Sequence, residues 1–409
     1  MRNLLLAFRN VLRHKRKTFA VLLPLIIGLA GLVVFQGFLS EMTRAWRDQS
    51  ILGGIGYLQV AGTSGYFEDG EFNPYDYPFP QSEQVSKQLA GEPGVKAVFP
   101  STGFVAMAGL GEESTSLLVK AYPIERMYFS PNKGVVKAPS DRFSLGTLQA
   151  GNALRPGDRN VLILGQTLAR ILKAGVGDTV TLMAILPGGQ LTGRDFVIGG
   201  IFTAPQQDNL FGYTDYDTAV DFTHLSQPPV LDVLLDGVGR VDSVAASLTP
   251  RVSFRTWKEL STTYVQVNSL LSNFLTVIRL VILIVTLFIL ANVMNRVVLE
   301  RMREWGTLRA LGTKKRSILA LVILEGSLMG TVGGALGILL GVGMAALINL
   351  RGGLSYHQAE QIVQIFVRPG LNSVLINVVP AIFVGGLAAF LPALRAIKLS
   401  PSECLRVAA

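Results

Sequence analysis

RVVLERMREWGTLRALGTKKRS, residues 296–317, is a dense charged run wedged between two long apolar segments, and that position decides the fold class. FLTVIRLVILIVTLFILANVM (274–294) precedes it and ILALVILEGSLMGTVGGALGILLGVGMAALINL (318–350) follows it. A bilayer presents about 30 Å of hydrocarbon, which takes roughly 20 helical residues, so each flanking segment is long enough to cross. The run between them is therefore a loop at a membrane face. Its seven basic residues, Arg296, Arg301, Arg303, Arg309, Lys314, Lys315 and Arg316, outnumber Glu300 and Glu304. Short loops rich in Lys and Arg stay in the cytoplasm.

Composition agrees. Of 409 residues, 49% are hydrophobic, 16% charged and 43 are glycine, which is too apolar and too Gly-rich for an ordinary soluble enzyme. The formal charge of +9 is unevenly spread: residues 41–259 hold 18 Lys and Arg against 23 Asp and Glu, leaving 19 and 5 for the rest. The basic excess thus belongs to the membrane-proximal parts, and a nucleic-acid partner, which needs a basic face on the folded domain, is not expected. Cys404 is the only cysteine, so no intrachain disulfide forms, and with His14, His224 and His357 scattered, no Cys/His metal cluster is encoded.

Outward from the charged run, the expected fold is a membrane α-helical protein with four transmembrane helices and a large mixed α/β extracytoplasmic domain between helices 1 and 2. Residues 1–18 read as a cytoplasmic interfacial helix, with basic residues beside an apolar stripe of Leu4, Leu5, Phe8, Val11 and Leu12. FAVLLPLIIGLAGLVVFQGFL, 19–39, is the first transmembrane helix; it exceeds the about 7–15 residues of a signal-peptide core and no small-x-small site follows. No run long enough to span occurs over 40–270, the extracytoplasmic domain. Within it GYLQVAG (56–62), KAVFPSTGFVAM, NVLILG, GDTVTLMAI, DFVIGGIF, VLDVLLDGV and VSF are strand-like. SEQVSKQLAGEPGV (82–95) reads as a helix capped by Ser82 and stopped at Gly91, QTLARILKA (166–174) as a short helix, and Pro187-Gly188-Gly189 as a turn. These segments suggest an α/β module from about 55–100 and 218–260, with a β module inserted at about 101–217.

The remaining spans are 271–296, 317–350 and 371–394, joined by the cytoplasmic loop 297–316 and an extracytoplasmic polar loop 351–370, with a cytoplasmic tail at 395–409. In the third span Gly326, Gly330 and Gly334, and again Gly333, Gly337 and Gly341, recur every fourth residue, which bares helix faces for close packing. Arg279, near a helix end, is expected to snorkel, and Glu325 to pack at the interface or pair with a neighbouring helix. No nucleotide site is present: G-x4-G-K-[ST] is absent, and Gly306 to Gly312 followed by Thr313 and Lys314 has the wrong spacing. In the charged loop Met302, Trp305, Leu308 and Leu311 recur every third residue, with Gly312 as a C-cap. A loop that only marks topology needs no such apolar stripe, so it reads as a docking element for another protein.

The segment ERMREWGTLRALGTKKRSILALVILEGSLMGTVGGALGILLG resembles the permease core of the type VII ABC transporter superfamily, the group of FtsX, MacB and the lipoprotein-releasing LolC and LolE. The family's E-R-x-R-E-x-G-x-L-R-A-L-G is matched from Glu300 to Gly312, with Trp305 standing where an aliphatic residue is usual. Its P-A-x-R-A-x-x-x-x-P-x-E-x-L-R ending is similar to LPALRAIKLSPSECLR, at Pro392, Ala393, Arg395, Ala396, Pro401, Glu403, Leu405 and Arg406, and AFRNVLRHKRKT resembles its N-terminal motif.

The resemblance implies a multi-pass permease of the bacterial inner membrane, both termini cytoplasmic, with no catalytic residue or cofactor in this chain. ATP and Mg would belong to a separate cytoplasmic ATPase, bound in two copies by a homo- or heterodimer of permeases. Docking is expected at Glu300, Arg301, Arg303, Glu304, Trp305, Leu308, Arg309 and Leu311. Membrane lipids and a periplasmic carrier or membrane-fusion protein are the other expected partners. Such permeases transmit ATP-driven motion to the extracytoplasmic domain to extract or export a lipoprotein, lipid or amphiphile; layout sits closest to LolC and LolE. The alternative is an FtsX-like regulator of a cell-wall hydrolase.

Overall fold

The computed structural model describes residues 15–131, 139–186, 189–204, 209–248, 252–358 and 361–398. The interfacial helix expected at 1–18 lies almost wholly outside them, as do Cys404, most of the tail and the Pro187-Gly188 turn. Two compact units make up the chain: Met1–Arg44 with Asn268–Tyr356 and Ile362–Ala409, and Ala45–Val267 with His357–Gln361.

Helix α1 (Lys15–Ser50) contains the apolar run of the first expected span and continues eleven residues beyond it through Glu41, Arg44, Arg47 and Asp48. A π-helical turn at Ile51–Ile55 ends it, and Gly54 takes φ 116°, a conformation that residues with a Cβ rarely adopt.

The second unit is built on two sheets that share one strand. The strands are β1 (Leu58–Ala61), β2 (Val95–Leu110), β3 (Glu113–Tyr122), β4 (Met127–Ser130), β5 (Phe143–Gly151), β6 (Val161–Gly165), β7 (Thr179–Ile185), β8 (Leu191–Thr203), β9 (Phe211–Asp215), β10 (Val230–Leu235) and β11 (Ser253–Thr256). Helices α2 (Ser82–Ala90), α3 (Gln166–Ile171), α4 (Tyr216–Thr223) and α5 (Val241–Ala246) are interspersed. In the first sheet the order is β11-β1-β10-β2, all antiparallel, and in the second β2-β3-β9-β6-β8-β5-β4 with β7 joining β2 and β8. The 16-residue β2 belongs to both: Ser101 is the last residue opposite β10, at Val230, and Thr102 the first opposite β3, at Ala121.

Alternation sorts the cores. Leu58, Val60, Leu231, Val233 and Leu235 share one face of the first sheet and pack with Val85 and Leu89 of α2 and Val241 and Val244 of α5. In the second sheet β6 is a continuous apolar run because it is covered on both faces: Leu162 and Leu164 join Phe104, Phe196 and Phe222, whereas Ile163 joins Phe143, Phe202 and Tyr213. Two sequence expectations change. Ser82 is the first residue inside α2 and makes no capping bond, the role of preceding residue falling to Gln81. Within 101–217 the short helix expected at 166–174 is α3, and β3 and β9, β6 and β8, and β4 and β5 pair in parallel. The stretch at 351–370, read as a polar loop, contains strands β12 (Leu354–Gln358) and β13 (Gln361–Ile365), which pair.

The first unit resumes with helices α6 (Thr262–Glu300), α7 (Met302–Ala310), α8 (Lys315–Leu350) and α9 (Leu371–Lys398). Among the described residues three helical stretches, Leu22–Ile55, Thr262–Glu300 and Lys315–Leu350, are long and apolar enough to cross a membrane, and α9 runs for 28 residues. The two glycine rows of α8 face different neighbours. A Cβ at Gly326 would lie 2.5 Å from the Gly385 carbonyl and from Ala389, and one at Gly330 would strike the Ala381 carbonyl, so this row lies on α9. A Cβ at Gly333 would come 2.6 Å from Leu25, at Gly337 2.9 Å from Leu29 and at Gly341 2.9 Å from the Ala30 carbonyl, so the second row lies on α1. Gly334 borders both, 3.3 Å from Ala381 and 3.9 Å from Leu29. Backbone contact of this kind is how small residues hold helices together where no water drives association. A polar clasp adds to it, Asn377 Nδ2 donating to Gln36 Oε1 at 2.9 Å between α9 and α1.

Candidate functional site

The site begins where α6 breaks. Arg301, with φ −106° and ψ 13°, separates α6 from α7, and the turn redirects the chain after Glu300. At its other end α7 closes in a Schellman motif: Thr313 N–H donates to Leu308 O and Gly312 N–H to Arg309 O, both at 3.0 Å, with Gly312 at φ 91°. Lys314 then leads into α8.

Arg301 is the centre of the arrangement. Its Nε donates to Glu304 Oε2 at 2.9 Å, its Nη1 donates to Glu325 Oε2 at 3.2 Å and Oε1 at 3.3 Å, and its guanidinium lies 4.9 Å over the Trp305 ring. The Glu325 side chain is only 4% exposed, so the pair is shielded from water on the carboxylate side. Trp305, 2% exposed, lies in a core cluster with Leu22 of α1, Ile318 and Val322 of α8, and Ala389 and Ala393 of α9. At the same end of the bundle Arg395 Nη1 donates to Asn295 Oδ1 at 3.0 Å, fastening α9 to α6. Removing one member of a buried ion pair leaves the other charge unpaired, at a cost of about 3–5 kcal/mol, and truncating a buried Trp costs about as much. Helix α7 is thus anchored to α8 by charge and by packing.

This divides the residues singled out for docking. Met302 and Trp305, the latter among the residues expected to dock, are buried in the protein's own bundle. Leu308 and Leu311 are 39% and 79% exposed. Glu300, Arg303 and Glu304 are also exposed and Arg309 half-buried, whereas Arg301 turns inward. Spacing by three explains the split: each step of three residues rotates the position by about 60° round the helix, so residues nine apart face opposite sides. The pairing of Arg301 with Glu325, 24 residues away, was beyond any local pattern, although a lone acid in an apolar segment signals that it has a partner.

Comparison with known proteins gives the following. Residues 18–265 match the family described as the MacB-like periplasmic core domain, and residues 276–401 the FtsX-like permease C-terminal. The chain is 25% identical over 419 residues to the macrolide export ATP-binding/permease protein MacB of Agrobacterium fabrum, an alignment covering 96% of this chain and 58% of that protein. It is 23% identical over 429 residues to the uncharacterized ABC transporter permease YknZ of Bacillus subtilis, covering 99% of each. The chain therefore spans less than two thirds of the MacB protein and nearly all of YknZ. Among solved structures, the periplasmic region of MacB from Actinobacillus actinomycetemcomitans aligns with 53% of this chain and 94% of its own, at 14% identity and a TM-score of 0.35. The extracellular domain of YknZ aligns with 49% and 99%, at 15% identity and a TM-score of 0.32.

Proposed function

The chain belongs to the MacB-like and FtsX-like family of ABC transporter permeases, and from that premise we propose that it works by mechanotransmission, turning the ATP cycle of a separate cytoplasmic ATPase into movement of its domain at residues 45–267. The observation that carries the proposal is the anchoring of α7. Force applied to its exposed Leu308 and Leu311 passes through Trp305 and the Arg301–Glu325 pair into α8, whose glycine faces grip α1 and α9.

In this reading the chain crosses the bacterial inner membrane four times, α9 supplying the fourth span, with both termini and α7 in the cytoplasm and residues 45–267 outside. Two permeases pair and bind two ATPase subunits, which hold the ATP and Mg. The substrate is a lipoprotein, lipid or amphiphile drawn from the outer leaflet.

Tagged protein purified from its own host with a non-hydrolysable ATP analogue, followed by mass spectrometry, is expected to bring down a lone ABC ATPase. The reconstituted pair should release lipoprotein or lipid from vesicles only when ATP is hydrolysed. Recovery without any ATPase would sink the reading. Recovery of an ATPase together with a cell-wall hydrolase, and no release, would instead favour the FtsX-like regulatory role.

A further inference from the structure

Within residues 45–267, where β2 passes from one sheet to the other, a cleft of about 500 Å³ opens, within the usual range of small-molecule sites. Its walls are aromatic and acidic. Tyr66, Phe67, Tyr122 and Phe211 line it, and so do Glu68, Asp69 and Glu71, against the single cation Lys120. That lysine is already engaged: its Nζ lies 2.6 Å from Glu71 and 4.8 Å over the Phe211 ring. Arg255, the next cation nearby, pairs with Glu259 at 3.5 Å.

Behind one wall lies Asp232 of β10, wholly buried. Residues 230, 232 and 234 share the face of β10 opposite to the one packed on α2 and α5, so the Asp232 carboxylate points to the cleft side of the sheet. Gln59, its partner on β1, and Ser101 of β2, whose side chain also bonds to it, are wall residues of the cleft, and Asp232 lies behind them. Gln59 Nε2 donates to Oδ1 at 2.8 Å, while Oδ2 has no hydrogen-bond partner among the described residues. Thr102, 4% exposed and itself part of the wall, has an unpartnered Oγ1 as well. A buried acid and a buried hydroxyl, each with a spare acceptor, thus lie at a net-negative aromatic cleft whose cation, Lys120, is paired with Glu71. The aromatic walls, which attract an ammonium at their faces, suit an organic cation.

We infer that this cleft is a binding site for an amphiphilic organic amine, its ammonium group held by Asp232, Glu71 and the Thr102 hydroxyl and its apolar body laid on Tyr66, Tyr122 and Phe211. Rings of this kind attract an ammonium at their faces, and a desolvated carboxylate adds far more than an exposed one. The site stands on the geometry of this domain alone and does not depend on coupling to an ATPase.

The test uses the full chain in phosphatidylcholine nanodiscs at pH 8, titrated with dansylcadaverine, an aromatic primary amine, and with neutral dansylamide, each corrected for empty nanodiscs. Dansylcadaverine should bind about tenfold or more tightly than dansylamide, and Asp232→Asn or Glu71→Gln should each abolish most of that preference. Lys120→Gln, which removes the competing cation, should strengthen amine binding, so the outcome does not rest on loss alone. Equal binding of the two dyes, or an amine preference untouched by all three substitutions, overturns the inference. Because the readout is a preference between two probes, loss of folding would be recognised by loss of both signals, and the Lys120→Gln gain then decides.

Discussion

At the residue scale two buried carboxylates behave oppositely. Glu325 is compensated: Arg301 meets both its oxygens, so Arg301→Ala should destabilise the protein by about 3–5 kcal/mol, whereas replacing both members by apolar residues, Arg301→Met with Glu325→Leu, should recover most of that loss. Thermal unfolding in detergent distinguishes the cases; a double variant as unstable as Arg301→Ala would show that the two act separately. Asp232 is only partly compensated, and burial pushes its carboxyl up from 3.8 to about 7 despite the lowering influence of Ser101, Gln59 and Lys120. Its folded-state value is raised, so its stabilising contribution is fully present below about pH 3.8 and is lost as pH rises through about 7. Asn imitates the neutral acid. The melting midpoint of Asp232→Asn should therefore exceed that of the parent at pH 8 and approach it at pH 5, and a difference that does not grow with pH refutes the assignment.

At the element scale α7 and α8 divide their labour by face. Leu308→Ala with Leu311→Ala removes side chains that touch mainly solvent, so thermal stability should hold. If these residues bury against an ATPase, each contributes about 1.5–3 kcal/mol and copurification should fall by an order of magnitude or more. Unchanged association would return α7 to a purely structural element. Trp305→Ala should do the reverse of the leucine pair, lowering stability first. In α8, Gly330→Ala would force a methyl against the Ala381 carbonyl and cost about 1–3 kcal/mol, while Gly343→Ala, with nothing within 4 Å, should be silent. Equal melting points for the two alanine variants would mean that α8 and α9 are not in backbone contact. The spacing of these glycines was legible in the sequence. Their allotment to α9 and α1 was not, because two rows on one helix specify two close neighbours without saying which.

At the scale of the whole molecule the expected topology is open to direct labelling. Single cysteines at Ser64, Ser144 and Ser226, in a Cys404→Ser background, should react with an impermeant thiol reagent in intact spheroplasts, and one at Ser317 should not. Reaction at Ser317 with silence at Ser144 would invert the arrangement. Ser144 lies in β5 and Ser226 follows α4, so both report on the same folded unit as Ser64, and discordant labelling among the three would break the assignment of that unit to one side.

What the sequence determined by itself was whatever depends on neighbours along the chain. Apolar runs of bilayer length, the glycine spacing, the Gly312 cap of α7, and the family motif from Glu300 to Gly312 are all local, and lipid or backbone geometry reads them without help from the fold. Strands with plain alternation or an unbroken apolar run, such as VLILG, were legible for the same reason. Only the tertiary structure decided what joins distant segments: the division of β2 between two sheets, the parallel pairing of β3 with β9 some 90 residues on, the ion pair of Arg301 with Glu325, and the placing of Asp232 beside Gln59, behind the cleft wall that Thr102 helps to form. Those pairings are chosen by burial and by the need to satisfy buried polar groups, and both depend on what the rest of the chain places alongside. The residues that carry them, a lone acid in an apolar helix and another in an apolar strand, stand out in the sequence as costly, and the fold supplies a partner to one of them and leaves the other a spare acceptor.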